Sequence, residues 1–146
     1  MNREAAFWDA SALVPLFVPE AGSRLARQWA RRCSVVAWWG TRVEVYGAIC
    51  RLFRNKDIDS QERQAAVARL GVLRQTWQEI LAEEELRESA EQLLEKYALR
   101  AADSFQLAAA LVWCRGRAAK RVFLCGDARL SEAARAEGFA VVGLRK

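Results

Sequence analysis

The stretch RVFLCGDARLSEAARAEGFAVVGL, residues 121–144, predicts a strand, a helix and a second strand in close succession. Its end segments, RVFLCG and FAVVGL, are continuous apolar runs, which are typical of strands buried on both faces of a parallel sheet. The segment between them places Leu130, Ala133 and Ala134 on one helical face, and Gly138 marks the end of that helix. Two such strands joined through a helix indicate an α/β fold.

The same alternation of strands and helices extends toward the N-terminus. Three further strands are predicted, at AAFWD (5–9), SVVAW (34–38) and WQEILA (77–82), although the last could instead extend the helix before it. Helices are predicted around Pro15, at 22–32, over TRVEVYGAICRLFRN, at 60–75, over EELRESAEQLLEKY and at 101–115. In EELRESAEQLLEKY the inward face comprises Leu86, Ala90, Leu93, Leu94 and Tyr97. We therefore predict one α/β domain over residues 1–146, with a parallel sheet sandwiched between helices.

The chain has no histidine, and this excludes several enzyme classes. A Ser-His-Asp triad, a Cys-His pair and a metal-free ribonuclease that uses histidine as acid and base all require an imidazole. The four cysteines are far apart in sequence, so they match neither a zinc pattern nor a disulfide framework. Without a signal-peptide pattern or an apolar run of about 20 residues, we expect a soluble cytoplasmic protein with no membrane segment. The net charge of +5 is compatible with a polyanionic partner or with solvated helix faces.

Four acidic residues fall at strand ends or near helix starts. Asp9 ends the first strand, Glu44 lies on the helix after the second, Asp103 begins the apolar helix in RAADSFQLAAALVWC (100–114), and Asp127 follows VFLCG. Each has an ordinary explanation, because the aspartates can cap helices and Glu44 can pair with a nearby arginine on the surface. Together they can converge at the carboxyl edge of the sheet. Such a cluster is destabilised by repulsion and desolvation unless a hard cation such as Mg²⁺ or Mn²⁺ lies within it.

Four segments resemble, in order, the motifs of PIN-domain ribonucleases, specifically the VapC-type toxins of type II toxin–antitoxin pairs. These segments are WDASALVPLFVPEAGS, RVEVYGAICR, YALRAADSFQLAAAL and FLCGDARLSEAARAEGF, and the resemblance runs from about residue 7 to residue 142. It implies an α/β/α domain with metal-dependent endoribonuclease activity, Mg²⁺ or Mn²⁺ as cofactor, an RNA substrate, a VapB-type antitoxin partner and a homodimer. It also implies a catalytic, metal-binding set of Asp9, Glu44, Asp103 and Asp127, in which the first and third are the main ligands.

Three positions depart from the pattern of the similar proteins. Cys125 stands where Thr or Ser is common, Gln106 where His is frequent, and Pro15 where a lysine often follows "LV". The missing hydroxyl at Cys125 puts the geometry around the metal, and full activity, in question. Ser11 and Ser104 are the polar groups that remain available as substitutes.

Arginines and tryptophans supply the candidate RNA contacts. Five arginines either follow a phosphate backbone beside the acidic pocket or form a solvated rim, namely Arg42, Arg51, Arg54, Arg115 and Arg117. Arg100 either orients a carboxylate or contacts RNA. Trp38 and Trp39 are expected in the core, with base stacking or a dimer interface as the alternatives.

The sequence does not fit a different class of α/β protein with acids at its strand ends. A phosphoacceptor receiver module needs two adjacent acids after the first strand and a lysine that ends a late strand, and this chain has neither. Two alternatives stay open, a PIN-like binding module with lost catalysis and a housekeeping PIN nuclease without an antitoxin. Hydrolysis by metal-activated water predicts products with 5′-phosphate ends.

Overall fold

A computed structural model describes residues 3–144, so the ends of the domain predicted over 1–146 lie outside the described residues. The strands are β1 (Glu4–Trp8), β2 (Cys33–Trp38), β3 (Gln78–Ile80), β4 (Val122–Cys125) and β5 (Ala140–Gly143). The helices are α1 (Ala10–Leu13), α2 (Ser23–Arg32), α3 (Thr41–Arg54), α4 (Ser60–Leu73), α5 (Glu84–Lys96), α6 (Ala101–Trp113) and α7 (Ala128–Ala136), with a 3-10 turn at Val14–Leu16. No helix in this part of the chain is long and apolar enough to cross a membrane.

The five strands form one parallel sheet in the order β3-β2-β1-β4-β5. The chain builds outward from β1 through β2 and β3, and then returns to the other side of β1 to add β4 and β5. This reversal makes the carboxyl ends of β1 and β4 the switch point of the sheet, which is where open α/β sheets bind ligands, and the space beyond these two strand ends is called the crevice below. Trp8 pairs with Leu124 across these two strands, so the residues that follow, Asp9 and Cys125, are neighbours.

Helices cover both faces of the sheet, as predicted. Along β1, Ala6 and Trp8 pack into an apolar cluster with α1 to α4, whereas Phe7 packs into a second cluster with α5, α6 and α7. All three side chains are fully buried. Because both faces of the central strand are covered, its sequence is an uninterrupted apolar run rather than an alternating one.

Two residues predicted to lie inward are exposed. Leu94 is 41% exposed because α5 packs through Leu86, Ala90 and Leu93, and Leu94 lies about 100° further round the helix. Trp39 is 56% exposed because it follows the last residue of β2, beyond the helices that cover that strand.

The ambiguous segment WQEILA does not extend the helix before it. α4 ends at Leu73, and the predicted strand is confirmed as the short edge strand β3.

Candidate active site

Asp9 lies at the crevice, between the end of β1 and the start of α1. It is only 5% exposed, and although it occupies the N-cap position of α1 and the Ser11 N–H lowers its pKa slightly, its carboxylate makes no full capping hydrogen bond, so capping alone does not explain this residue. Its Oδ2 instead accepts hydrogen bonds from the Ser11 hydroxyl and, at 3.4 Å, from the Cys125 thiol. Burial raises the pKa of Asp9 from 3.8 to about 6, against the effect of these two donors. Asp9 forms no ion pair within residues 3–144.

The loop after β4 reaches Asp9 through Ser11. The backbone N–H of Gly126 donates to Ser11 Oγ at 2.8 Å, and the Ser11 hydroxyl donates in turn to Asp9. A Cβ atom on Gly126 would lie 3.3 Å from both the carbonyl oxygen and the Oγ of Ser11. This close approach explains why glycine precedes Asp127 in the sequence.

Gly126→Ala is therefore expected to lower the free energy of unfolding by about 1 to 2 kcal/mol, because the added methyl group presses on the backbone of α1. Urea denaturation in EDTA measures the change. Gly143→Ala is the matched control, since a Cβ there has nothing within 4 Å. Equal stability of the two variants would contradict the tight contact at Gly126.

Cys125, one of the three departures from the motifs of similar proteins, contacts Asp9 directly. Its Sγ lies 3.4 Å from Asp9 Oδ2 and 3.3 Å from the carbonyl oxygen of Asp127, within donor range of both. Burial and then the charge of Asp9 raise the pKa of this thiol to about 12, so it keeps the proton that it donates. Ser104, the other predicted substitute, instead donates to the Ala101 carbonyl within its own helix at 2.8 Å.

Glu44 lies in the first turn of α3 and is half-buried. Its Oε1 accepts a hydrogen bond of 2.9 Å from Gln106 Nε2. Burial, together with the smaller effect of the charges of Asp9 and Asp103, raises the pKa of Glu44 from 4.5 to about 7, and the hydrogen bond from Gln106 opposes the shift. Since Glu44 forms no ion pair among the described residues, the alternative of a surface pair with arginine is wrong.

The remaining two acids begin α6 and α7. The pKa of Asp103 is raised by burial and by the charge of Asp127, and Arg100 and Arg129 oppose the shift. Arg100 is a weak partner, with Nε 3.9 Å from Asp103 Oδ2 and a side chain that is 84% exposed. Asp127 caps α7 by accepting a hydrogen bond of 2.9 Å from the Leu130 N–H, so its capping explanation is confirmed.

The four predicted acids thus share one edge of the sheet. Asp9, Glu44 and Asp103 repel one another electrostatically, and Asp127 repels Asp103. Within residues 3–144, however, no three Asp, Glu or Cys side chains converge closely enough to hold one ion between them. Mg²⁺ usually binds through one or two carboxylates and keeps several waters. The buried Asp9 carboxylate has no counter-charge and lies near other acids, and this arrangement fits such a largely hydrated ion. The metal-binding roles of the four acids stay a prediction.

Sequence analysis missed three residues around these acids, namely Gln106 as a donor, Thr41 and Arg129. The sequence identifies Gln106 only as a departure from the motifs of similar proteins. Its signal was a lone amide in an otherwise apolar helical segment, one turn after Asp103. Arg129 lies two residues after Asp127, and only the approach of α7 to α6 brings it near Asp103.

The five predicted RNA-binding arginines are all exposed, but they lie in two places. Arg42, Arg51 and Arg54 are on α3 with Glu44, and Arg51 lines a cleft of about 250 Å³ together with Ser11. Arg115 and Arg117 follow the far end of α6, so Arg115 is about 18 Å along the helix from Asp103. These last two arginines do not lie beside the acidic pocket, so of the two alternatives only the solvated one remains for them.

Solved structures that include a toxin–antitoxin complex and a toxin share this fold over most of the chain. A toxin–antitoxin complex from Klebsiella pneumoniae is 18% identical with a TM-score of 0.64, covering 97% of this chain and 99% of its own. FitAcB from Neisseria gonorrhoeae is 16% identical with a TM-score of 0.64, and the coverages are 95% and 97%. VapC20 from Mycobacterium tuberculosis, a toxin that cleaves the sarcin–ricin loop, is 18% identical with a TM-score of 0.65, and the coverages are 88% and 95%.

The comparisons therefore confirm the predicted PIN-like α/β fold. No protein-family model and no curated protein matches the sequence.

Proposed function

We propose that this protein is a Mg²⁺- or Mn²⁺-dependent endoribonuclease and the toxin of a VapBC-type toxin–antitoxin pair. The observation that carries the proposal is the acidic crevice beyond β1 and β4. There Asp9 and Glu44 are desolvated and repel each other without a paired cation. The fold shared with toxin–antitoxin proteins, one of them a toxin that cleaves the sarcin–ricin loop, supports it further.

In this proposal the four acids divide the work of holding the ion and moving a proton. Asp9 and Asp103 would hold the main ion, and Asp127 would support a ligand water or a second ion. When bound, the ion lowers the pKa of water and neutralises charge on the phosphoryl oxygens. Ser11 and Cys125 aim the Asp9 carboxylate. Glu44 Oε1 is engaged by Gln106, which would leave Oε2 to contribute to the metal site through a water and to accept a proton from that water.

The RNA backbone is proposed to follow α3. Arg42 is two residues from Glu44, and Arg51 lines the cleft that includes Ser11, so both cations lie on the helix that carries one of the acids. Neither arginine forms an ion pair within residues 3–144, which leaves both guanidinium groups available to phosphates.

A groove between α3 and α4 is the proposed site of the VapB-type antitoxin. It encloses about 560 Å³, its lining includes exposed Val43 and Tyr46, and Arg42 and Arg74 add positive charge without any acid. An apolar segment with acidic neighbours suits such a groove. Co-purification with the product of an adjacent short gene tests this partner and separates a toxin from a housekeeping nuclease.

A homodimer in the cytoplasm is also proposed. Trp39 and Leu81 are both exposed, and the Trp39 N–H donates to the carbonyl oxygen of Ile80, which places them side by side at the end of the sheet. A second copy that packs here would cover this patch. A mass measurement by light scattering tests it, and a monomer at micromolar concentration would contradict it.

The deciding experiment is cleavage of a structured RNA pool by the purified protein in Mg²⁺, in Mn²⁺ and in EDTA. We expect cleavage only with metal, 5′-phosphate ends, and a loss of about 100-fold or more in Asp103→Asn. Asp57→Asn, which removes an exposed carboxylate, is the control for charge. If Asp103→Asn cleaves as well as the wild type, Asp103 is only a first-turn helix acid, and if neither protein cleaves RNA with either metal, the binding-module alternative gains. Cyclic 2′,3′-phosphate ends that persist in EDTA would exclude the metal mechanism.

A further inference from the structure

Gln106 is an amide fully buried in an otherwise apolar stretch of α6. It is 0% exposed, and the four residues that follow it, Leu107–Ala110, are all buried and apolar. It lies three residues after Asp103, so the two side chains project from the same side of the helix. Burying an amide is costly unless its polar atoms find partners. Packing alone would be served better by leucine or methionine at this position.

The amide group connects α6 to α3. Gln106 Nε2 donates to Glu44 Oε1 at 2.9 Å and to Thr41 Oγ1 at 2.9 Å, so both of its protons are used. Thr41 is fully buried in the first turn of α3 and provides a fixed second anchor. Within residues 3–144, Gln106 Oε1 has no hydrogen-bond partner. The polar function of this side chain is therefore its donation to α3.

We propose that Gln106 is a positioning residue that holds the Glu44 carboxylate toward Asp103 and so completes the metal centre. The inference rests on the metal-dependent function proposed above. Glu44 is pushed away from the other acids by repulsion, and the two-point hydrogen bonding of Gln106 holds it against that repulsion. Hydrogen-bond partners that orient a metal ligand typically change metal affinity by 10- to 100-fold.

Gln106→Met tests the role, because methionine has a similar length and no donor. Mn²⁺ affinity of the full chain is measured without RNA from the electron paramagnetic resonance signal of free Mn²⁺. We expect the affinity of this variant to be roughly 10- to 100-fold weaker than that of the wild type. Gln92→Met is the matched control, since it makes the same substitution at an exposed position of α5, and we expect its Mn²⁺ affinity to equal that of the wild type. Thermal unfolding in EDTA verifies folding, and Gln106→Leu replaces the methionine variant if that variant does not fold.

A double-mutant cycle separates positioning from a general structural effect. In the Glu44→Gln background, Gln106→Met is expected to weaken Mn²⁺ binding no further, because the group that it positions no longer carries a charge. Independent, additive losses would overturn the proposal, as would unchanged Mn²⁺ affinity in both single variants at Gln106. If the wild type itself does not bind Mn²⁺, both the metal-dependent function and the role of Gln106 are excluded. If the wild type binds Mn²⁺ and the Gln106 variants bind it equally well, only the role of Gln106 is excluded.

Discussion

Asp9→Asn is expected to abolish metal-dependent RNA cleavage and, at the same time, to make the metal-free protein more stable at neutral pH. The Asp9 carboxylate is nearly inaccessible to water, and burial raises its pKa from 3.8 to about 6. Ionising it in the folded state thus costs about 3 kcal/mol at neutral pH, at 1.36 kcal/mol per pKa unit. An asparagine carries no charge there, and its carbonyl oxygen can still accept the hydrogen bonds from Ser11 and Cys125.

We expect the free energy of unfolding in EDTA to rise by about 2 kcal/mol in this variant, because some hydrogen-bond strength is lost with the charge. Urea denaturation at pH 7.5 measures the gain, and the RNA assay on the same preparation measures the loss of activity. Asp57→Asn makes the same change in net charge at an exposed site and should affect neither quantity. An Asp9→Asn protein that cleaves RNA normally, or is clearly less stable, would show that Asp9 is a structural group.

The metal-free wild-type protein is expected to lose stability as the pH rises from about 4 to about 7. Asp9 and Glu44 both have pKa values above their ordinary ones, about 6 and about 7, chiefly because of burial. Between the unfolded and folded pKa values the native state binds more protons, so the free energy of unfolding falls with rising pH. The stability that each of these two acids contributes is fully present below its pKa in the unfolded chain, and it is lost once the pH rises past its pKa in the folded protein. Asp9 alone contributes a decrease of about 3 kcal/mol.

Urea midpoints between pH 4.5 and 8 in EDTA measure this slope, and Asp9→Asn should flatten it. Mg²⁺ added at pH 7.5 should restore much of the lost stability, since a cation that binds only the folded state stabilises it. Below this range the trend reverses, because hydrogen bonds from Lys96 and Tyr97 lower the pKa of Glu137 although its burial raises it. Stability that is constant or rises from pH 5 to 7 would contradict a desolvated acidic cluster.

The residues that sequence analysis located well are those whose signal is local. The apolar runs of β1, β2 and β4 predicted buried parallel strands, because a strand covered on both faces has no solvent side to encode. The acids Asp9, Glu44 and Asp103 followed from their places after strands or near helix starts, since parallel strands bring their carboxyl ends to one edge. Leu94 was misassigned because helical periodicity defines a broad face, and only the partner helix decides where that face ends.

By itself, then, the sequence determined the α/β class, the succession of elements and which acids stand at the carboxyl edge, because periodicity and strand ends are properties of neighbouring residues. Tertiary structure alone decided the strand order β3-β2-β1-β4-β5, which sets Cys125 beside Asp9. It also decided that Gln106 holds Glu44 and that Arg115 lies away from the pocket. The contacts of Gln106 with Glu44 and of Cys125 with Asp9 join residues that are 62 and 116 positions apart in sequence. Arg115 is distant from Asp103 because the two residues lie at opposite ends of α6. Such relations depend on how the layers pack, which no local pattern encodes.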